Sequence, residues 1–319
     1  MSSKATILTN ARAAGRRESR RADAARRAGG GHDGVTLRTP DEIAAIRAAG
    51  DVLRDALDRA TDACVAGATT ADVNAAAMRV IEAAKAEALF LGYPSSDSSV
   101  APFPACCCIS VNDEIVHGIP GSRVIKDGDL VSIDCGVKLH GWCADAAVTV
   151  PVGAVSDDAT ALVECAQDML STAVQLARPG EQWSAIAAKM QALAVDAEFG
   201  IVVEYVGHGI GRSLHEAPQV PNCVTAELLS HADFTLRPGM VLAIEPMIAM
   251  RGEGMDPRGY PRGVLTRRLA DGWTVSTADG SVAAHVEHTI AITRQGCEVL
   301  TLGRGQSLST HAAPVRARR

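Results

Sequence analysis

His208 stands in VGHGIGRSLHE (206–216), and four acids stand in or beside β-rich apolar runs. Asp134 is in SIDCG (132–136), Asp145 in GWCADAAVTV (141–150), Glu245 in VLAIEPM (241–247) and Glu287 in HVEHTI (285–290). Strands made of such runs would bury these carboxylates. A buried carboxylate is costly unless a cation compensates it. Four of them with one imidazole are most economically explained by one shared metal centre. Two divalent ions need about this much negative charge, with one or two carboxylates bridging, and the chemistry implied is two-metal hydrolysis.

The spacing adds detail. Asp134 and Asp145 flank Lys138-Leu139-His140-Gly141. A turn centred between Leu139 and His140 places the two acids directly opposite each other in an antiparallel hairpin. Opposed residues share a face, with Cβ atoms about 4.5–5.5 Å apart. Like charges that close need a cation or a shared proton. The pair alone leaves a second reading open, in which one or both acids end a strand in solvent. Pro246 forces Glu245 into an extended conformation. Glu287 follows Val286 and precedes the β-branched Thr289-Ile290. His208 lies between Gly207 and Gly209, where the backbone can bend sharply. Arg212 breaks the GxGxxG register, which excludes a nucleotide cradle. His215 follows seven residues after His208 and can reach a common cleft. His117, in VNDEIVHGIP (111–120), taken alone reads first as a surface-loop histidine and second as a catalytic one.

These residues need elements to position them. Thr39-Pro40-Asp41-Glu42 reads as a helix start with a capping box. Ile43, Ile46, Ala49, Leu53 and Leu57 follow at helical spacing. A second helix is predicted over 70–88, with Val73, Ala77, Val80 and Ile81 inward. Strands are predicted near 106–112, 129–137 and 144–150. The pattern then recurs, with helices over 157–176 and 183–196 and β-rich runs at 201–206, 240–249, 272–277 and 283–293. LVSIDCG echoes VLAIEPM, each with one acid after Ile near a strand end. An internal duplication in an α+β fold follows. The Gly-, Pro- and Arg-rich stretch 250–268 reads as a long surface loop.

The 319 residues are 47% hydrophobic but 3% aromatic, which suits a core of Ala, Val, Leu and Ile. No run reaches the roughly 18 apolar residues of a membrane helix. The first residues lack the apolar segment of a secretory signal. The nine cysteines form no CxxC pair, and Cys106, Cys107 and Cys108 are consecutive. Reduced thiols in a cytosolic compartment are expected. The net charge of −6 hides a split. Residues 1–34 hold seven Arg and one Lys against three acids, and 303–319 add four Arg and no acid. The body, 35–302, is left with nineteen basic and thirty-four acidic residues. Such a body repels nucleic acid. The 1–34 arm is expected to be disordered, as is the 303–319 tail, and 35–302 to be the catalytic domain. The arm is open to three readings: a solvated tail, an RNA contact or a cleaved presequence.

In chain order, NDEIVHGIP, SIDCG, DAAVTVPVG, GHGIGRSLHEAPQV, IEPM, DGWTV and VEHTI resemble the type I methionine aminopeptidases of the pita-bread metallopeptidase family. The likeness runs over roughly residues 37–302. It implies a pita-bread fold with two pseudo-two-fold halves, each a helix pair with antiparallel strands. It implies two divalent metal ions, their identity (Co, Mn, Fe or Zn) left open. Asp145 and Glu287 would bridge them, Asp134 would complete one site, and His208 with Glu245 the other. Glu245, His117 and His215 would be catalytic, the two histidines acting on substrate rather than metal. Tyr93, Phe103, Cys108 and Trp273, with Leu214 nearby, would line the methionine pocket; before the likeness, Tyr93 and Phe103 read equally as core aromatics.

The activity implied is removal of initiator methionine from nascent polypeptide N-termini in the cytoplasm, with a small second residue preferred. A monomer with no membrane contact is expected, and a ribosome contact through the basic arm. The sequence departs from the family pattern in four places. Trp142-Cys143-Ala144 replaces a run that usually holds a histidine. Leu214 stands where Phe is common, and 94–102 and 250–268 are expanded. A proline-directed peptidase of the same fold and a non-catalytic RNA-associated relative are the rival readings.

Overall fold

The computed structural model describes residues 34–250, 253–255 and 261–302. The expected basic arm and tail therefore lie outside the described residues, apart from Gly34.

Helix α1 spans Pro40–Ala63 and α2 spans Thr70–Ala83. The capping box forms as expected: the Thr39 side chain accepts from the Glu42 N–H, and the Glu42 carboxylate accepts from the Thr39 N–H. Two otherwise orphaned donors are thereby satisfied. Thr69 and Asp72 repeat the device on α2. Helix α2 stops at Ala83 rather than near residue 88. Lys85 takes φ 55° and turns the chain. Glu87–Ala88 then becomes an edge strand, β1, paired with Lys138 and Val137. A tertiary pairing has overridden local helical preference.

Strands β2 (Cys107–Val111), β3 (Glu114–Val116), β4 (Leu130–Leu139) and β5 (Trp142–Pro151) complete the first half. The second half opens with α3 (Asp157–Leu176) and α4 (Trp183–Asp196), at the predicted bounds. Then come β6 (Gly200–Ile201), β7 (Gly207–Gly209), β8 (Glu216–Val220), β9 (Val241–Ile244) and β10 (Met247–Ala249). Strands β11 (Glu253–Met255), β12 (Pro261–Gly263), β13 (Thr266–Arg268) and β14 (Val275–Thr277) follow. The chain ends with β15 (Ala283–His285), β16 (Glu287–Thr293) and β17 (Gly296–Val299).

The main sheet runs β1-β4-β5-β16-β9-β7-β8, with β2 on β4 and β17 on β16. About the β5–β16 junction, β4 corresponds to β9, and β2 flanks β4 as β7 flanks β9. One core packs α1 and α2 on β2, β4 and β5, through residues such as Leu53, Ile81 and Ile133. The other packs α3 and α4 on β9 and β16, through Leu162, Trp183 and Ile290. The duplicated α+β architecture expected from the sequence is the one observed.

Two predicted single strands are broken. The run 240–249 divides at Glu245-Pro246 and the run 283–293 at Val286. In each case the chain leaves one sheet for another: β9 and β16 lie in the main sheet, β10 and β15 in a second one. Proline has no N–H for a ladder, so Pro246 ends the first pairing. The two corners touch, Val286 N–H donating to the Pro246 carbonyl at 3.3 Å.

The stretch 250–268 is not the featureless loop its composition suggests. Strand β11 pairs with β12, β12 extends along β6, and β13 pairs with β14. Pro and Gly are tolerated on short edge strands, which hides such strands from a composition reading. Among the described residues, no helix is long and apolar enough to cross a membrane.

Leu53 is wholly buried on α1. Leu53→Ala should destabilise the protein by about 2–5 kcal/mol, through lost burial and the cavity left behind. Urea denaturation of the two proteins measures this, and a shift well under 1 kcal/mol would show that the first core collapses to fill the space.

Candidate metal centre

Five adjacent strands of the main sheet each deliver one residue to the same place. Asp134 lies on β4, Asp145 on β5 and Glu287 at the start of β16. Glu245 directly follows β9, and His208 is the middle residue of β7. The sheet-switching corners thus hold Glu245 and Glu287 where the ladder ends and a side chain can leave it.

The hairpin register differs from the predicted one. Asp134 opposes Ala147, and Asp145 opposes Gly136. The turn is His140-Gly141, with φ of 50° and 80°. Two successive positive φ values suit the two-residue turns that match strand twist. The predicted turn centre was one residue early, so the register shifts by two. A shift of two keeps both acids on one face. They are diagonal neighbours rather than an opposed pair.

The glycines around His208 also act differently from expectation. Neither Gly207 nor Gly209 has a positive φ. A Cβ on Gly207 would collide with the Ala243 carbonyl oxygen, and one on Gly209 with that of Ala217. They permit close strand approach rather than a bend.

Asp134, Asp145, His208 and Glu287 keep only 8%, 4%, 7% and 2% of their surface exposed. The ligand atoms of Asp145, His208 and Glu287 lie within 4.8 Å of one another. His208 Nε2 is 3.9 Å from Asp145 Oδ2 and 3.6 Å from Glu245 Oε1. His208 Nδ1 lies 3.0 Å from the Gly209 carbonyl oxygen, which leaves Nε2 for the cluster. The Thr289 hydroxyl ties down the Asp145 backbone at both its N–H and its carbonyl. Asn222 Nδ2 donates to the Glu245 carbonyl at 3.0 Å.

Charge is poorly tolerated in this cluster. Burial raises the Asp134 pKa to about 7. Burial, with the Asp134 charge added, raises Glu245 to about 8. Asp145 and Glu287 are pushed well above the usual carboxylate range by burial and then by neighbouring acids. Burial, and then His215, lower His208 to about 3, so its imidazole is neutral. Asp134 Oδ1, Asp145 Oδ1 and Glu287 Oε1 are buried without a hydrogen-bond partner. Orphaned buried acceptors are rare in native structures. Carboxylate oxygens with one neutral imidazole form a donor set that suits first-row divalent ions.

The residues expected to meet substrate form two contact sets, joined where the Phe103 N–H donates to the Tyr93 carbonyl. Tyr93 Oη is 2.8 Å from His215 Nδ1, and the His215 ring stands edge-on to His208 at 4.4 Å. Phe103 and Trp273 meet edge to face at 5.3 Å, and Trp273 also faces His117 at 6.3 Å. Trp273 Nε1 donates to the Ala101 carbonyl, which fixes its ring. Cys108 is buried directly across from Asp134. Burial and the Asp134 charge raise its pKa well above the thiol range, so it is a neutral wall rather than a nucleophile. Leu214 is buried one residue before His215. His117 holds φ 60°, uncommon for a non-glycine residue. Burial lowers His117 to about 4.

Sequence reasoning missed two residues here. His285 Nε2 lies 3.6 Å from Glu245 Oε2, and neither ring nitrogen has a hydrogen-bond partner. Its position two before Glu287 was the available signal, since alternate strand residues share a face. The break at Val286 obscured it. Tyr205 stands edge-on to His117 at 5.7 Å. Nothing but its nearness to His208 in the chain marked it.

The model of metallopeptidase family M24 matches residues 44–294. This chain belongs to metallopeptidase family M24. Among M24 relatives, methionine aminopeptidase 1 of Bacillus subtilis is 40% identical over 267 residues, which are 84% of this chain and 99% of that one. Methionine aminopeptidase 1 of Mycobacterium tuberculosis is 40% identical over 276 residues, 84% of this chain and 96% of that one. The crystal structure of methionine aminopeptidase from Thermotoga maritima superposes with a TM-score of 0.75 at 35% identity, over 84% of this chain and 99% of that one. A prolidase from Pyrococcus horikoshii shares the M24 fold at 22% identity and a TM-score of 0.62, over 84% of this chain and 63% of that one. The pita-bread fold and metallopeptidase class expected from the sequence are those found.

The shifted pKa values fix how the metal-free protein responds to pH. Folded carboxyls with raised pKa hold protons that the unfolded chain releases, so their stabilisation is lost as pH rises through about 7 for Asp134 and 8 for Glu245. The lowered histidines act the other way, and their contribution is full above their ordinary 6.5. Between pH 6.5 and 8 the carboxyls therefore dominate among these groups. The thermal midpoint of metal-free protein should fall across that window, and a saturating divalent ion should remove the fall. Melts with and without Mn²⁺ check this; a metal-free midpoint that rises with pH would contradict the buried carboxyl cluster.

Proposed function

We propose that this protein removes N-terminal methionine from nascent polypeptides by hydrolysis, with two divalent ions in the cluster. The observation that carries the reading is the set of orphaned oxygens on Asp134, Asp145 and Glu287 beside neutral His208. Aromatic edges and one neutral thiol adjoin it. Methionine is long, flexible and polarizable, and sulfur favours aromatic contacts. The names of the relatives point to the same substrate.

Asp145 and Glu287 would hold both ions, Asp134 would complete one site, and His208 with Glu245 the other. The bound ions would supply Lewis acidity toward the scissile carbonyl and toward water. Glu245 takes the attacking water's proton and passes it to the departing amine. The Asn222 side chain, which donates to the Glu245 carbonyl, holds its backbone in place. Neutral His215 can accept the Tyr93 hydroxyl proton at Nδ1, which leaves an Nε2 donor for the carbonyl oxygen. His117 binds the peptide unit beside it. Tyr93, Phe103, Cys108, Trp273 and Leu214 receive the methionine side chain. The free α-amine sits beside Asp134, so only terminal residues are cut. His117, Tyr205 and His215 crowd the next position, which favours a small second residue. The protein works in the cytoplasm as a monomer, and its basic first residues touch the ribosome.

Metal content and turnover of Met-Ala-Ser against an Xaa-Pro peptide test the reading. Turnover of Xaa-Pro alone would hand the site to a prolidase-like activity. Asp145→Asn or Glu287→Gln should lower activity by orders of magnitude and release metal while helical content persists. Near-normal turnover at saturating metal in either variant would reject the bridging roles.

His117→Ala and His215→Ala should each keep metal and lose rate. General acid–base and polarising residues contribute about 10²–10⁴-fold. Stoichiometric metal loss, read by elemental analysis, would move that histidine among the ligands.

A further inference from the structure

Glu216 follows His215, and its carboxylate has three partners. Oε1 accepts from the backbone N–H groups of Arg212 at 2.8 Å and Ser213 at 3.1 Å. Oε2 is ion-paired with Arg38. The two amide bonds close the turn over residues 212–216, which carries Leu214 and His215. Arg38 lies just before α1, far away in sequence, and its side chain is only 7% exposed. Its own N–H is anchored on the Gly239 carbonyl at 2.7 Å.

A second layer holds the first. Trp142, at the start of β5, carries two guanidinium groups against its ring. Arg212 lies 3.6 Å from the ring centroid and Arg38 5.4 Å. A Cβ on Gly211 would collide with the Arg38 guanidinium, so the turn and this arginine are in tight contact. The segment before α1, the start of β5 and the 211–216 turn are therefore one rigid unit. At the far side of that turn, the His215 ring meets Tyr93 and His208.

We propose that Glu216 and Arg38 are positioning residues that set the place of the His215 imidazole in the cleft. The inference rests on the proposed role of His215. The ion pair is largely shielded from solvent, and the Trp142 ring under the Arg38 guanidinium restricts its direction as well as its distance. Without it, the 212–213 amides lose the acceptor that closes the turn. His215 then keeps its contact with Tyr93 only part of the time. A displacement on the order of 1 Å can cost about a hundredfold in rate.

The test is a double-mutant cycle on metal-loaded full-length protein, read as kcat and KM on Met-Ala-Ser. Glu216→Gln should lower kcat about 10- to 100-fold with KM within about threefold. In a His215→Ala background the same change should cost less than about threefold, because residues acting through one group are not additive. Arg38→Lys keeps the charge but loses the planar group that lies over Trp142, and should give the same pattern at smaller size. If Glu216→Gln fails to fold, Arg38→Lys decides by the same criterion. Equal losses in both backgrounds, or no loss in either, overturn the inference while leaving His215 in place. If His215→Ala itself keeps full rate, the proposed role of His215 and this inference fall together.

Discussion

Four carboxylates in one dry pocket repel each other and resent their own burial, and the architecture is arranged around that conflict. Two unit charges about 4 Å apart in an effective dielectric of 20 cost roughly 4 kcal/mol. Several such pairs rival the whole stability of a domain, about 5–15 kcal/mol. The pocket therefore exists either with protons or with cations. The raised values at Asp134 and Glu245 are the proton solution. Cations resolve the same conflict near neutral pH without removing the charges. A site that depends on this exchange needs a rigid frame, or the acids would swing out to solvent. The frame is the continuous ladder β4-β5-β16-β9-β7, braced by a helix pair on each half.

The sequence made the ligands legible because burial and charge conflict within single short runs. SIDCG and IEPM announce themselves by placing an acid where a strand core belongs. The helix bounds 157–176 and 183–196 were legible because Ser156 caps and Trp183 opens clear apolar spacing. What failed was anything set by partners distant in the chain. The hairpin register depends on which two residues take positive φ, and His140 is not a residue that advertises it. The breaks at Pro246 and Val286 depend on a second sheet that local patterning cannot show. The shortened second helix depends on β1 finding β4. His285 was hidden for the same reason as the corner next to it.

Duplication supplies near-symmetric acids but not symmetric surroundings. Asp134 and Glu245 come from corresponding strands, and so do Asp145 and Glu287. The flanking strands differ. Strand β7 contributes His208, whereas β2 contributes Cys108. A neutral imidazole adds a nitrogen donor on one side. A thiol held neutral by burial adds only a soft wall on the other. This asymmetry gives the cleft a direction. It sets a thiol-lined side, with Cys108 and Asp134, against an imidazole-lined side, with His208 and Glu245.

The departure at Trp142-Cys143-Ala144 fits this division of labour. Side chains alternate along β5, so Trp142 and Asp145, three apart, face opposite ways. A large aromatic at 142 therefore leaves the metal face untouched. It instead gives two arginines a surface to stack on, and such contacts are stronger when shielded from water. Of the two, the Arg38 guanidinium reaches Glu216, and Arg212 binds the same carboxylate through its backbone N–H. Of the three residues that depart from the family run, Trp142 and Ala144 thus fall on the back of the strand, and Cys143, two before Asp145, on the same face as that acid. Trp142 is tied to the turn that carries His215, while Asp145 keeps its place in the acid cluster.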